Sequence, residues 1–197
     1  MRRKATSIRD LGTRFEVLTK QFLLTDKLYR ARFSKVWMWG EWEGNDGPDT
    51  GIDLIAEERV GGDGKGANSE LCAIQCKCYD DSDGSLDMKS VSTFLAKTAA
   101  LNIRNKILVY TGSSMTSHAR KLLEDHRCSI ITSSVFRDST IDWGGFPRLK
   151  QKEPKRLYEY QEAARRDVIA GFLNNDRGKL IMAGGTGKTL VSLRIAE

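Results

Sequence analysis

Apolar residues change their spacing within the first sixty positions, and that change constrains the fold more than any other feature of the chain. Ile8, Leu11, Phe15, Leu18, Phe22 and Thr25 recur at alternating three- and four-residue steps, which predicts one amphipathic helix over residues 8–30. Residues 35–39 then read as a strand, closed by the loop Gly44-Asn45-Asp46-Gly47-Pro48. Residues 51–57 and 71–79 read as two further strands, joined by a soft turn containing Gly61, Gly62, Gly64 and Gly66. A helix over 86–100, a buried strand over 106–110, a helix over 116–125 and a strand over 129–132 follow. The order α-β-β-β-α-β-α-β requires a mixed sheet with helices on its faces.

Composition narrows the class. The chain has 197 residues, 40% hydrophobic and 29% charged, the profile of a globular protein rather than a disordered one. No apolar run approaches the ~20 residues that span a bilayer, and the basic start Met1-Arg2-Arg3-Lys4 leads into no apolar stretch, so neither a membrane span nor a signal peptide is expected. Four cysteines are too few for a disulfide scaffold and suit the reduced thiols of a cytoplasmic protein. The net charge of +6 is unevenly spread: residues 1–33 carry +6, residues 34–98 carry −7 and residues 99–197 carry +7. Basic flanks around an acidic middle suit a protein that grips a polyanion and holds a cation at its centre.

Beyond residue 136 the periodicity dissolves. Pro147, Pro154, Gly144-Gly145 and a scatter of Arg and Lys predict a linker over 137–157, between a first domain over 1–136 and the start of a second over 158–197. In the second, a helix over 159–175 and a short strand over 179–182 precede Met182-Ala183-Gly184-Gly185-Thr186-Gly187-Lys188-Thr189 and a last helix. Glycines before a helix let backbone N–H groups converge on phosphate oxygens at the positive helix end. Gly184, Gly185, Thr186 and Gly187 would form that cradle, Lys188 would reach the β- and γ-phosphates, and the Thr189 hydroxyl would ligate Mg²⁺. Met182 stands where the first glycine of the usual pattern would be. This end resembles the start of a superfamily-two helicase motor, in which a glutamine about 25 residues upstream reads adenine. Gln161 occupies that position, and its amide can both donate and accept. The acidic Mg²⁺ motif and the arginine fingers are expected beyond Glu197, so these 197 residues are expected to hydrolyse no ATP.

The chemistry-bearing pattern lies on the two strands after the acidic loop. Asp53 falls in Gly51-Ile52-Asp53-Leu54-Ile55-Ala56, and Gln75 and Lys77 in Ala73-Ile74-Gln75-Cys76-Lys77-Cys78. Residues two apart on a strand share a face, about 6.6 Å from each other, and hairpin pairing can bring Asp53 alongside. A carboxylate, an amide oxygen and a lysine on one patch can hold a divalent cation, activate water and offset the charge that grows during phosphodiester hydrolysis. A purely structural patch is the alternative.

In its context this pattern resembles the Mrr-like branch of PD-(D/E)XK nucleases, in which glutamine replaces the second acidic ligand. The resemblance covers roughly residues 8–135, including Lys106-Ile107-Leu108-Val109-Tyr110-Thr111-Gly112 and the helix after it. With the phosphate loop, Val36-Trp37-Met38-Trp39 and Ile141-Asp142-Trp143, the arrangement is similar to the N-terminus of single-polypeptide Type I (Type ISP) restriction–modification enzymes. That resemblance implies a restriction-endonuclease-like mixed sheet flanked by helices, followed by the start of a RecA-like P-loop domain. It implies Mg²⁺ held by Asp53, the Gln75 side chain and the Cys76 carbonyl, with Lys77 catalytic and Glu16 of the first helix facing the site. It also implies double-stranded DNA and the remainder of a longer polypeptide as partners, and ATP with Mg²⁺ at the motor. Rival readings are a stand-alone repair or methylation-dependent nuclease-helicase, and a degenerate nuclease fold that only binds DNA.

Other residues have bland readings beside functional ones. Glu16 could simply pair with Lys20 at i,i+4, and Asp49 could belong to a Pro-Asp turn rather than to a metal site. Cys72, Cys76 and Cys78 share one face of one strand and read as small buried residues rather than zinc ligands. Trp37, Trp39 and Trp42 read as a core edge more readily than as base-stacking rings, and His118 and His126 as surface residues.

Overall fold

Ala73, Ile74, Ile107, Leu108 and Val109 are shut off from solvent, and these central positions explain the architecture. Strands buried on both faces read as continuous apolar runs and need helices on each side. The computed structural model describes residues 7–45, 47, 51–59, 70–79, 85–153 and 155–197. They form two compact units, Met1–Lys152 and Glu153–Glu197. No helix among them is long and apolar enough to cross a membrane.

In the first unit, α1 (Ile8–Thr25) and α2 (Lys27–Arg32) lead into β1 (Phe33–Met38), β2 (Leu54–Glu58) and β3 (Glu70–Lys77). Next come α3 (Met88–Ala100), β4 (Asn105–Tyr110), α4 (Ser117–Asp125), β5 (Ser129–Thr132) and α5 (Ser133–Asp138). The strands lie in the order β1-β2-β3-β4-β5. β1, β2 and β3 pair antiparallel, whereas β3, β4 and β5 run parallel. One face packs Phe15, Phe22 and Leu23 of α1 against Leu54, Cys72, Ile74 and Val109. The other packs Val91, Phe94 and Leu95 of α3 and Leu123 of α4 against Ile55, Ala73 and Leu108. The expected mixed sheet with helices on both faces is the sheet observed.

In the first unit two expectations differ from the structure. The helix expected over 8–30 is broken at Asp26, whose extended backbone and carboxylate cap α2 by accepting from the N–H groups of Leu28 and Tyr29. Aspartate is a strong N-cap residue, and here the cap prevails over the continuing periodicity. The linker expected from residue 137 is instead part of the first unit as far as Lys152. β6 (Ile141–Asp142) and β7 (Lys150–Gln151) form a small hairpin, and Phe136, Ile141 and Leu149 are buried in the α1-side core. Phe22 packs its ring on Phe136 and stacks on Trp143. These apolar residues follow neither helix nor strand period, so the glycine, proline and basic residues between them conceal their burial.

The second unit contains α6 (Glu159–Phe172) and α7 (Lys188–Ala196). The strand expected over 179–182 is absent, since no neighbouring strand among the described residues pairs with it, and Ile181 is exposed. Phe172, Leu173 and Leu193 are exposed as well.

Candidate active site

The site is built where β2 and β3 begin to part. Gly51 leads in with φ +110°, and a Cβ there would lie 3.2 Å from the Phe94 backbone nitrogen of α3, so both conformation and space require glycine. Two residues on, the Asp53 N–H donates to Ile74 O (3.0 Å) and its carbonyl accepts from Trp39 N (2.8 Å). The antiparallel register, with Leu54 opposite Ile74, sets Asp53 level with Gln75. Its carboxylate Oδ2 accepts the Cys76 N–H at 2.5 Å. Successive strand residues point their backbone groups to opposite sides. Cys76 therefore turns its carbonyl toward β2 and Asp53, while the Lys77 carbonyl accepts from Thr111 N on the other side (3.1 Å).

Alternation places Gln75 and Lys77 on the face of Ala73, toward α3, and Cys72, Cys76 and Cys78 on the face toward α1. Gln75 is 2% exposed, and its carbonyl oxygen has no hydrogen-bond partner among the described residues. A buried acceptor left unpaired costs about 1–3 kcal/mol, so a cation is a fitting occupant for that lone pair. Asp53, the Gln75 oxygen and the Cys76 carbonyl are hard oxygen donors, the set that Mg²⁺ accepts. Lys77 is half-buried, and its ammonium has no ion-pair partner among the described residues.

Glu16 approaches from α1. Burial pushes the Cys76 thiol well above its usual range, and the negative charges of Asp53 and Glu16 add to the shift, so both carboxylates lie near this residue. Glu16 lies on α1, which packs on the face of the sheet opposite to Gln75 and Lys77. The Lys20 ammonium, the alternative partner for Glu16, bonds Glu41 at 2.5 Å. Burial also raises the Cys72 thiol and lifts Cys128 to about 11, so these cysteines stay protonated and pack as small apolar groups. Trp39 is buried beside Trp42 with the Lys97 ammonium over its ring, an edge of the core as expected. His118 and His126 are exposed. Asp49 and the turn over 60–69 lie outside the described residues.

Sequence reasoning missed Thr111. Its hydroxyl accepts the Tyr79 N–H (2.8 Å) and donates to the Tyr79 carbonyl (2.9 Å), extending the β3–β4 pairing past Lys77 by a side chain. Only the parallel register, with Lys77 opposite Tyr110, reveals it. Thr111→Val is expected to lower stability by about 1–3 kcal/mol, because two backbone groups lose their partner. Thr111→Ser should keep most of the stability. Urea unfolding of both variants checks this, and equal midpoints for valine and threonine would refute the clasp.

In the second unit the loop over 182–187 sits between α6 and α7. Gly185 and Gly187 take φ +75° and +83°, and a Cβ at Gly187 would meet the Gln161 amide nitrogen at 2.5 Å. Gln161, 3% exposed, accepts from Tyr158 N (2.9 Å) through Oε1 and donates to Thr186 O (2.8 Å) through Nε2. Lys188 Nζ donates to the carbonyls of Met182 (2.7 Å) and Ala183 (3.4 Å), while Thr189 lies in the first turn of α7.

A five-stranded mixed sheet flanked by helices, with an acidic residue at the entry to the second strand, level with Gln-x-Lys on the third, defines a protein of the restriction-endonuclease class. The chain belongs to the restriction endonuclease family Mrr_cat_2, which matches residues 24–153. It is 34% identical to the ATP-dependent Type ISP restriction-modification enzyme LlaBIII, solved bound to DNA, with a TM-score of 0.70. That match covers 95% of this chain and 12% of the larger one, so the chain spans about an eighth of that enzyme's length. MspJI restriction endonuclease, solved with a 27-mer oligonucleotide, is 20% identical at a TM-score of 0.45, over 62% of this chain and 26% of that one. The DNA modification-dependent restriction endonuclease AspBHI is 22% identical at 0.39, over 60% and 27%. No curated protein matches the chain.

Proposed function

We propose that this chain supplies the metal-dependent endonuclease domain of an ATP-dependent restriction enzyme, hydrolysing phosphodiester bonds in double-stranded DNA. The observation that carries the reading is the Asp53 carboxylate held level with Gln75, whose buried amide oxygen has no hydrogen-bond partner among the described residues. Asp53, Gln75 and the Cys76 carbonyl would hold Mg²⁺. When bound, the ion supplies a Lewis acid for the phosphoryl oxygen. The Cys76 N–H fixes one oxygen of the Asp53 carboxylate, which limits how that ligand can turn. Lys77, on the face of Gln75, orients the attacking water and stabilises the negative charge that develops on the phosphoryl oxygens. Glu16, coming from α1, carries the charge felt at Cys76 and is proposed as the carboxylate that accepts a proton from that water.

The loop over 184–189 is proposed to cradle nucleotide phosphates of a RecA-like motor, with Lys188 and Thr189 in the roles their positions give them. The Gln161 amide, bonded to Tyr158 and Thr186, would use its second N–H and second lone pair for an adenine edge. Nicking of supercoiled plasmid with Mg²⁺ and with EDTA tests the nuclease reading: activity that persists in EDTA would refute it. Gln75→Glu adds a carboxylate at nearly the same reach and is expected to tighten Mg²⁺ binding. Calorimetric titration showing weaker or equal affinity would remove Gln75 from the ligand set.

A further inference from the structure

Asp53, Gln75 and Lys77 lie at the end of the sheet where Met38 pairs with Leu54. At the other end, where Phe33 pairs with Glu58, a pocket of about 480 Å³ is lined by Thr25, Lys27, Arg30, Ala31, Arg59 and Gln151. Six residues of extended chain separate Asp53 from Arg59, which is about 20 Å. We infer that this pocket binds the phosphate backbone of duplex DNA at a point removed from the cleavage site.

Three features point to that ligand. The cations come from separate parts of the fold, Lys27 and Arg30 from α2 and Arg59 from the end of β2, and all three are exposed. Nearby basic residues are neutralised, Arg32 by Glu58 at 2.7 Å and Lys35 by Glu57 at 3.8 Å. Among the described residues, Lys27, Arg30 and Arg59 have no ion-pair partner and no carboxylate lines the pocket. Two hydrogen bonds hold the frame: Arg59 N donates to Arg32 O (2.7 Å), and the Gln151 side-chain Nε2 donates to Thr25 O (2.5 Å). An acidic protein partner would need aromatic or large aliphatic anchors, and among the described residues Ala31 is the pocket's only apolar lining residue. Unpaired cations with no apolar anchor suit phosphates, which are contacted without regard to sequence. A separation of about 20 Å corresponds to about six base pairs along a duplex.

The inference rests on DNA as this domain's substrate, and its test needs no cleavage. Binding of a 30-base-pair duplex is measured in EDTA between 50 and 200 mM salt, for the parent chain and for Lys27→Ala/Arg30→Ala/Arg59→Ala. Each phosphate contact contributes about 0.9 to the log–log salt slope, so losing three should reduce the slope by about 2.7. The parent's advantage at 50 mM should then shrink by about 40-fold at 200 mM. Arg30→Lys/Arg59→Lys keeps the charges and should keep the parent's slope. Superimposable slopes for the parent and the alanine variant would overturn the second contact, as would a lysine variant that loses slope. A parent that binds no duplex at all would overturn the substrate reading as well, whereas bound duplex with unchanged slopes removes this pocket alone. Circular dichroism shows that each variant is folded.

Discussion

Lys77→Ala is expected to slow plasmid nicking by about 10²–10³-fold, the usual effect of removing one group that stabilises transition-state charge. Lys77 follows Gln75 on the same face, and its backbone is held between Cys76, bonded to Asp53, and the Thr111 clasp. Its ammonium is therefore delivered by a strand end fixed on both sides. Because it acts on charge that develops during reaction, DNA affinity should change little while the rate at saturating DNA falls. Lys77→Arg keeps the charge but replaces a compact ammonium with a wider, planar fork, so it should recover only part of the rate. Single-turnover nicking at saturating DNA separates the two quantities. An equal rate for alanine and lysine would remove Lys77 from the mechanism.

The strand pair carrying this chemistry was legible because its signals are local. Period-two alternation across residues 73–78 fixes Gln75 and Lys77 on one face whatever else the chain does. A short glycine-rich connection makes antiparallel pairing with the Asp53 strand the natural outcome, and the register places Asp53 opposite Gln75. What was not legible depends on contacts between distant segments. Asp26 stops a helix whose apolar period runs on, and only the cap geometry shows it. Phe136, Ile141 and Leu149 are buried through rings and strands reached by a hairpin, in a stretch whose composition reads as a linker. Thr111 takes its role from a parallel register with β3 that no spacing encodes. The far-end pocket joins Arg59, drawn from an acidic segment, to Lys27 and Arg30 from a basic one, so block charges could not place them together. The strand expected at 179–182 marks the reverse error, since apolar residues form a strand only where another strand pairs with them.

Asp53→Ala carries the largest expected effect. It removes the one formally charged ligand of the proposed set; Gln75 and the Cys76 carbonyl are neutral, so little holds the cation once the carboxylate is gone. It also leaves the Cys76 N–H without its acceptor, a modest cost at the strand end of about 1–3 kcal/mol. Asp53→Asn keeps that acceptor and the shape while removing the charge, which separates metal binding from local stability. Metal catalysis of this kind is worth several kcal/mol, so either variant should nick at least about 10³-fold more slowly. The direct measurement is Mg²⁺-dependent nicking of supercoiled plasmid by the parent, Asp53→Ala and Asp53→Asn, each shown to be folded by circular dichroism. The site described here predicts that the parent nicks and that both variants fall to background at every Mg²⁺ concentration. Folded Asp53→Asn that nicks as fast as the parent would contradict it.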